Sequence, residues 1–154
     1  MTTGTLEARI FRLEAIEEIK QLKARYCAYC DRGYDADALA DLFVADAVWD
    51  GGRKRGQQVG REAIRAFFKG ISAKITFAGH LVVNPIIAVE EDTAVGRWRM
   101  LMPYMTREAG PETARWQLAD YEDAFVRVEG RWRFKRLKVA LTALDPASGR
   151  WVEV

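Results

Sequence analysis

The sequence lacks any apolar run that approaches the roughly 20 residues needed to cross a bilayer. Its first residues also lack the basic start and apolar middle of a signal peptide. Nearly half of the residues, 49%, are nevertheless apolar, which is enough to build a core. We therefore expect a soluble, cytoplasmic protein with no membrane partner.

No charge of one sign dominates, since 24 Lys and Arg residues balance 22 Asp and Glu residues to a net charge of +2. Interspersed charges of both signs argue against a nucleic-acid partner. No Gly-rich phosphate loop follows a predicted strand and no ligand cluster has metal spacing, so we expect no cofactor and no metal. The basic turn Arg53-Lys54-Arg55 could meet a carboxylate or phosphate, although such turns are usually solvated loops.

Cysteine is scarce, and Cys27 and Cys30 form a Cys-x-x-Cys spacing. A redox-active pair would follow a strand and open a helix. These residues fall near the C-terminal end of a helical pattern instead, where the helix dipole disfavours a thiolate. One distant histidine leaves a zinc site short of its fourth ligand unless a carboxylate joins. We expect two packed thiols.

Apolar residues recur at three- and four-residue steps from Leu6 to about Asp31, which predicts one long amphipathic helix. Two shorter helices should follow, one capped by Asp35 or Asp37 and continuing through Phe43, and one beginning after the glycine at position 60.

Strands are predicted at 47–49 and, by alternation of apolar and polar residues, at 76–90, 93–106, 114–128 and 131–144. The class is therefore α+β: a cone-shaped, curved antiparallel sheet wrapped around the three helices and enclosing an apolar pocket.

The length fits one domain, which we assign to residues 1–154 with a C-terminal tail at 145–154.

His80 is the only histidine, and it lies among small and apolar residues in a segment that we predict to be a strand of the sheet core. Partial burial lowers the pKa of an imidazole and a neighbouring carboxylate raises it, so His80 could act as a general base near neutral pH. The alternative is a core histidine with no chemical role.

Asp31 ends the first helix, where the negative end of the dipole disfavours a carboxylate unless a cation or donor compensates. A protonated imidazole would compensate. The alternative is a solvated aspartate at the turn that follows the helix.

Tyr26 precedes Asp31 by five residues, which places the two side chains about 140° apart around the axis of an ideal helix. It could donate a hydrogen bond to a developing oxyanion or simply line the core.

Large apolar side chains could line the pocket, although strand parity does not establish which of them face inward. The candidates are Phe43, Trp49, Trp98, Met100, Met102, Tyr104, Trp116 and Leu118.

Several segments resemble, in order, the SnoaL-like branch of the nuclear-transport-factor-2-like (NTF2-like) superfamily over about residues 14–144. The segments that carry the resemblance are Glu17-Glu18-Ile19-Lys20-Gln21-Leu22-Lys23-Ala24-Arg25-Tyr26 with Asp31, Asp46-Ala47-Val48-Trp49, Gly79-His80, Gly96-Arg97-Trp98, Tyr121-Glu122-Asp123 and Gly130-Arg131-Trp132-Arg133-Phe134. The branch includes bile-acid 7α-dehydratases, hexachlorocyclohexane dehydrochlorinases and scytalone dehydratases.

The resemblance implies that His80 removes or relays a proton, Asp31 orients the imidazole and Tyr26 assists the departing oxygen. It further implies a cofactor-independent dehydratase acting on a hydrophobic cyclic molecule such as a steroid, a polyketide or an aromatic-derived intermediate. The alternatives are a ketosteroid-isomerase-like isomerase and a non-catalytic binding or assembly domain, such as the small subunit of a ring-hydroxylating oxygenase. The resemblance also implies a homodimer or homotrimer.

Two positions depart from the dehydratases, since Met102 replaces an acidic residue and Leu141 replaces an arginine. We therefore add Leu141 to the pocket candidates and expect a more apolar pocket. Bile acids and chlorinated cyclohexanes are not predicted substrates.

Overall fold

The computed structural model describes residues 4–107, 110–145 and 152–153. Its helices are α1 (Leu6–Asp31), α2 (Ala36–Ala40), α3 (Gly52–Arg55) and α4 (Arg61–Ser72). Its strands are β1 (Phe43–Asp50), β2 (Gln57–Val59), β3 (Ile75–Ala78), β4 (Leu81–Glu90), β5 (Thr93–Thr106), β6 (Thr113–Val128), β7 (Arg131–Asp145) and β8 (Val152–Glu153). The α+β class is confirmed.

The strands form one curled sheet in the order β2-β1-β7-β6-β5-β3, with β4 also pairing with β5 and β8 with β7. The pairings are antiparallel except that between β1 and β7, which is parallel. The expected antiparallel arrangement thus holds for the long strands β4 to β7, and the pairing of β1 with β7 departs from it. The chain leaves β1 through β2 and α4, and the later meander ends beside β1 in the same direction.

The helix boundaries follow the capping residues. The Thr5 hydroxyl accepts the Ala8 N–H at the start of α1, and Asp35 accepts the Ala38 N–H at the start of α2. The second helix is shorter than expected, because Phe43 already belongs to β1. The basic turn is itself the short helix α3.

The predicted strand 76–90 is interrupted at Gly79 and His80, so His80 lies between β3 and β4 rather than within a strand. The register against β5 is the same on both sides of this break. Opposite it lies Pro103, which accepts the Gly79 N–H but has no N–H to return. The His80 N–H instead donates to the Asp31 carboxylate.

The core lies between the concave face of the sheet and the helices. Every second residue is buried from Ala94 to Thr106 on β5 and from Gln117 to Phe125 on β6. Against this surface α1 presents Ala15, Ile19, Leu22, Lys23, Tyr26, Cys27 and Cys30. Within the described residues, no helix is both long and apolar enough to span a membrane.

One buried ion pair crosses this core. Lys23 Nζ lies 2.8 Å from Asp123 Oδ2, and the two side chains are only 2% and 0% exposed. The ammonium also lies 3.1 Å from the centroid of the Tyr121 ring. Burial raises the pKa of Asp123 to about 6, and the Lys23 charge limits the rise. The backbone N–H of Lys138 also interacts with this carboxylate and favours its charged form.

We expect Lys23→Met or Asp123→Leu alone to lower the free energy of unfolding by about 3–5 kcal/mol, because each leaves the other group buried without its partner. The double variant Lys23→Met/Asp123→Leu should recover much of this loss. Urea unfolding followed by circular dichroism measures both effects.

The matched control is Lys135→Met. It breaks the exposed contact between Lys135 and Asp46 and should leave the unfolding midpoint nearly unchanged. Additive losses in the double variant would contradict the coupling between the two buried charges.

Candidate active site

The end of α1 meets the break between β3 and β4 through three contacts between two residues. His80 Nδ1 lies 2.6 Å from Asp31 Oδ1. The backbone N–H of His80 also donates to both oxygens of Asp31, at 3.0 and 3.1 Å. The His80 side chain is 6% exposed and that of Asp31 is 32% exposed. The structure therefore brings these two predicted site residues together.

This arrangement fixes the chemistry of the imidazole. When Nδ1–H donates to the carboxylate, Nε2 keeps its lone pair and can accept a proton. The described part of the chain provides no hydrogen-bond partner for Nε2. A carboxylate at this distance also stabilises the imidazolium that forms when the ring takes up a proton. In return, the two N–H donors of His80 compensate Asp31 for its place at the negative end of α1.

Tyr26 does not touch Asp31, because α1 stays helical to Asp31 and the two side chains leave it on different faces. Its ring is buried, and its hydroxyl accepts a hydrogen bond from Trp49 Nε1 at 3.0 Å and contacts the Cys30 thiol. Burial raises the pKa of Tyr26 well above its ordinary value. The phenol therefore stays protonated and can serve as a donor but not as a base.

Tyr26 and His80 line the same cavity on the concave side of the sheet. Its volume is about 20 Å³, enough for about one water molecule. Its walls are formed by Tyr26, Tyr34, Trp49, Arg55, Phe67, Phe68, Ile71, His80, Met100, Met102, Gln117, Tyr121 and Val139. A cyclic ligand can enter only if some of these side chains move.

Three of the predicted pocket residues, Trp49, Met100 and Met102, line this cavity. Phe43 is fully buried beneath it and stacks on Phe134 with ring centroids 5.0 Å apart. Tyr104 is also buried in the concave core.

Trp98 and Leu141 lie on the concave side but outside the cavity. Trp98 borders a separate groove, and Leu141 is half-buried against the core. Trp116 and Leu118 are on the opposite, convex face, because Gln117 between them points inward. The structure therefore corrects the prediction that these two residues line the pocket, because successive side chains of a strand point to opposite faces. In agreement, 43% of Trp116 is exposed.

Sequence reasoning missed several cavity residues, notably Tyr34, Arg55 and Gln117. Tyr34 has a left-handed backbone (φ 58°) and its ring meets the His80 ring edge-on at 6.3 Å. It follows the glycine that ends α1 and belongs to no periodic segment, so no apolar pattern marks it. Arg55 belongs to the basic turn, and nothing in its sequence distinguishes it from the neighbouring Arg53 and Lys54.

Several larger grooves lie around the described part of the chain. One, of about 420 Å³, runs between α1 and β4 and includes Asp31 and His80 at its wall. Another, of about 1330 Å³, lies at the N-terminal end of α1 and contains neither residue. We place the candidate site at the dyad rather than in the largest groove, because only the dyad combines a base, a carboxylate and buried phenols.

Cys27 and Cys30 are both free and buried, as predicted for packed thiols. Burial raises the pKa of Cys27 to about 11 and that of Cys30 well above its ordinary value. Across the described residues, no group of three or more His, Cys, Asp or Glu side chains is placed to hold a metal ion.

A curled sheet closed over a long N-terminal helix, with a small cavity on its concave side, defines the NTF2-like class of α+β domains. Residues 12–138 match the SnoaL-like domain, and the chain belongs to that family.

Solved structures agree. A Novosphingobium aromaticivorans protein assigned as a scytalone dehydratase is 25% identical with a TM-score of 0.77, over 92% of this chain and 93% of that one. An NTF2-like protein of cystatin-like fold from the same organism is 28% identical with a TM-score of 0.69, over 97% of each chain.

Hexachlorocyclohexane dehydrochlorinase type 2 has a TM-score of 0.80 at 19% identity, over 92% of this chain and 95% of that one, and at this identity it supports the fold alone. The comparison with curated protein sequences found no match. The resemblance of the sequence to the SnoaL-like branch is thus confirmed at the level of family and fold.

We expect the neutral His80 ring to carry its proton on Nδ1 in the wild type. In Asp31→Ala it should shift towards the Nε2–H tautomer, because the carboxylate that accepts from Nδ1–H is gone. Ring ¹⁵N chemical shifts report the tautomer, and the single histidine makes the assignment unambiguous. Identical shifts in both proteins would show that Asp31 does not set the tautomer.

The thiols should react slowly with a disulfide reagent in the folded protein, and the rate should still be rising with pH up to about 11, where the Cys27 thiolate forms. Absorbance at neutral pH should show both thiols reacting rapidly only after unfolding in guanidinium. Rapid reaction of the folded protein at pH 7 would contradict their burial.

Proposed function

We propose that this protein is a cofactor-independent lyase that eliminates water from a hydrophobic cyclic small molecule. The observation that carries the proposal is that His80 Nδ1 lies 2.6 Å from Asp31 Oδ1 while His80 also lines the cavity. It supplies an oriented base at the wall of a largely apolar space.

In this mechanism Nε2 of His80 takes a proton from a carbon of the substrate as that C–H bond breaks. The electron pair forms the new double bond and expels the hydroxyl group from the adjacent carbon. The imidazolium, held by Asp31, then returns its proton to the departing oxygen, which leaves as water. No external acid, base or redox partner is required.

Tyr26 is the proposed hydrogen-bond donor to the departing or polarised oxygen. Its hydroxyl oxygen already accepts from Trp49, so its own proton can be directed towards a ligand in place of the weakly accepting Cys30 sulfur. Because the phenol stays protonated, this role is electrostatic rather than acidic.

The relatives support this choice of reaction. One of them carries a scytalone dehydratase assignment, and dehydration is an elimination of water. Met100 and Met102 in the cavity wall are unbranched and adapt readily to a ligand, which favours an apolar ring as the substrate framework.

The test uses cyclic β-hydroxy ketones without and with a ring carboxylate, such as 3-hydroxycyclohexanone, 3-hydroxy-1-tetralone and 3-hydroxy-5-oxocyclohexanecarboxylate, with water loss followed by NMR. His80→Gln should lower kcat by about 10²- to 10⁴-fold, since the general base is lost. Circular dichroism should show that the fold is retained. Trp116→Phe, an aromatic change on the convex face, is the control and should leave kcat unchanged.

Turnover that survives His80→Gln would contradict the proposal. Exchange of a substrate C–H with D₂O without water loss would favour the isomerase alternative. Neither exchange nor elimination with any compound of the panel would favour the binding or assembly domain.

A further inference from the structure

The basic turn divides into residues with different surroundings. Arg53 and Lys54 are exposed, whereas Arg55, the last residue of α3, is half-buried and lines the same cavity as His80. One cation of this turn therefore lines a cavity whose other walls are mostly aromatic and aliphatic.

The local backbone holds Arg55 in this position. A Cβ at residue 51 would lie 2.5 Å from the Cβ of Arg55 and 2.6 Å from the Trp49 ring, so only glycine lets these two side chains pack together. The Gly51 N–H donates to the Gly56 carbonyl at 2.9 Å and the Gly56 N–H to the Gly52 carbonyl at 2.8 Å. Arg55 thus leaves a closed turn against a wall of the cavity.

The positive charge of Arg55 is not neutralised by the nearby carboxylate. Asp50 is already engaged by Arg136 at 2.7 Å, by Gln57 at 2.9 Å and by the Gly52 N–H at 3.0 Å. Among the described residues, no carboxylate forms an ion pair with Arg55. A partly buried guanidinium without a counter-charge gains more from an incoming anion than a solvated one does.

The groups around Arg55 also suit an anion. Tyr34 lies close enough that the Arg55 charge partly offsets the rise that burial causes in the pKa of that phenol. Tyr34 remains a protonated donor, and the Gln117 side chain adds a further amide at the cavity wall. The site thus presents a cation and neutral donors together with the imidazole.

We propose that Arg55 is the anion-binding residue of this cavity and that the substrate class is a cyclic small molecule bearing a carboxylate. The ring would contact the aromatic and methionine side chains, and the carboxylate would pair with the planar fork of the guanidinium. This inference rests on the proposed function for its reference to a substrate, but its test requires no turnover.

The test compares benzoate with benzamide, which have the same shape and differ in charge. Binding is measured by calorimetry and by shifts of the His80 ring signals, which place the probe at the cavity. The wild type should bind benzoate about tenfold more tightly than benzamide. Arg55→Gln should lose this preference, and Arg55→Lys should keep part of it because the charge remains.

Arg53→Gln is the matched control on the same helix and should keep the full preference. Equal binding of the two probes by the wild type, a preference that survives Arg55→Gln, or no benzoate binding up to about 10 mM would each overturn the proposal. His80→Gln should lower kcat for elimination yet retain the benzoate preference, so failure of the lyase proposal and failure of this one give different results.

Discussion

The carboxylate of Asp31 accepts from both N–H groups of His80, and the rest of the site is arranged around this double contact. The backbone contact replaces the strand ladder that β5 does not provide where Pro103 lies opposite the break. It fixes the position of the histidine backbone, while the Nδ1 contact fixes its ring. The Asp31 carboxylate thus both satisfies the backbone at the break in the sheet and orients the base.

The contact between Asp31 and His80 forms only if α1 keeps its position and rotation against the sheet. The buried Lys23–Asp123 pair contributes to this. Lys23 lies two turns before Asp31, and its ammonium rests on Tyr121, which lines the cavity. A buried ion pair is costly relative to an apolar pair of the same volume, because both charges lose their hydration. An ion pair nevertheless requires a more specific geometry than an apolar contact does, so α1 cannot slide or rotate without breaking the pair.

Much of the fold could be predicted from the sequence, because helix and strand periodicity are local signals. The long helix, the strand order of the meander and the α+β class all followed from them. The parallel pairing of β1 with β7 could not be predicted, since it depends on where the chain returns after about ninety residues. The break at His80 was missed because it arises from Pro103 on another strand.

The site could be predicted only in part, because contacts between distant parts of the chain leave no local pattern in the sequence. Asp31 and His80 could be paired only through the family resemblance, because 49 residues separate them in the chain. Trp116 and Leu118 were misplaced because alternation gives two faces without saying which is concave. Lys23 looks like an ordinary solvated lysine in sequence, and only the fold reveals its partner on β6.

The small cavity constrains what the dyad can act on. At about 20 Å³ it admits roughly one water, so a cyclic ligand must displace side chains from contacts such as that between Trp49 and Phe67, whose rings lie 4.3 Å apart. A purely apolar ligand would merely exchange one set of apolar contacts for another. A ligand that also neutralises the charge of Arg55 adds an interaction that the closed cavity lacks, which is why charge rather than apolar area should decide which rings are accepted.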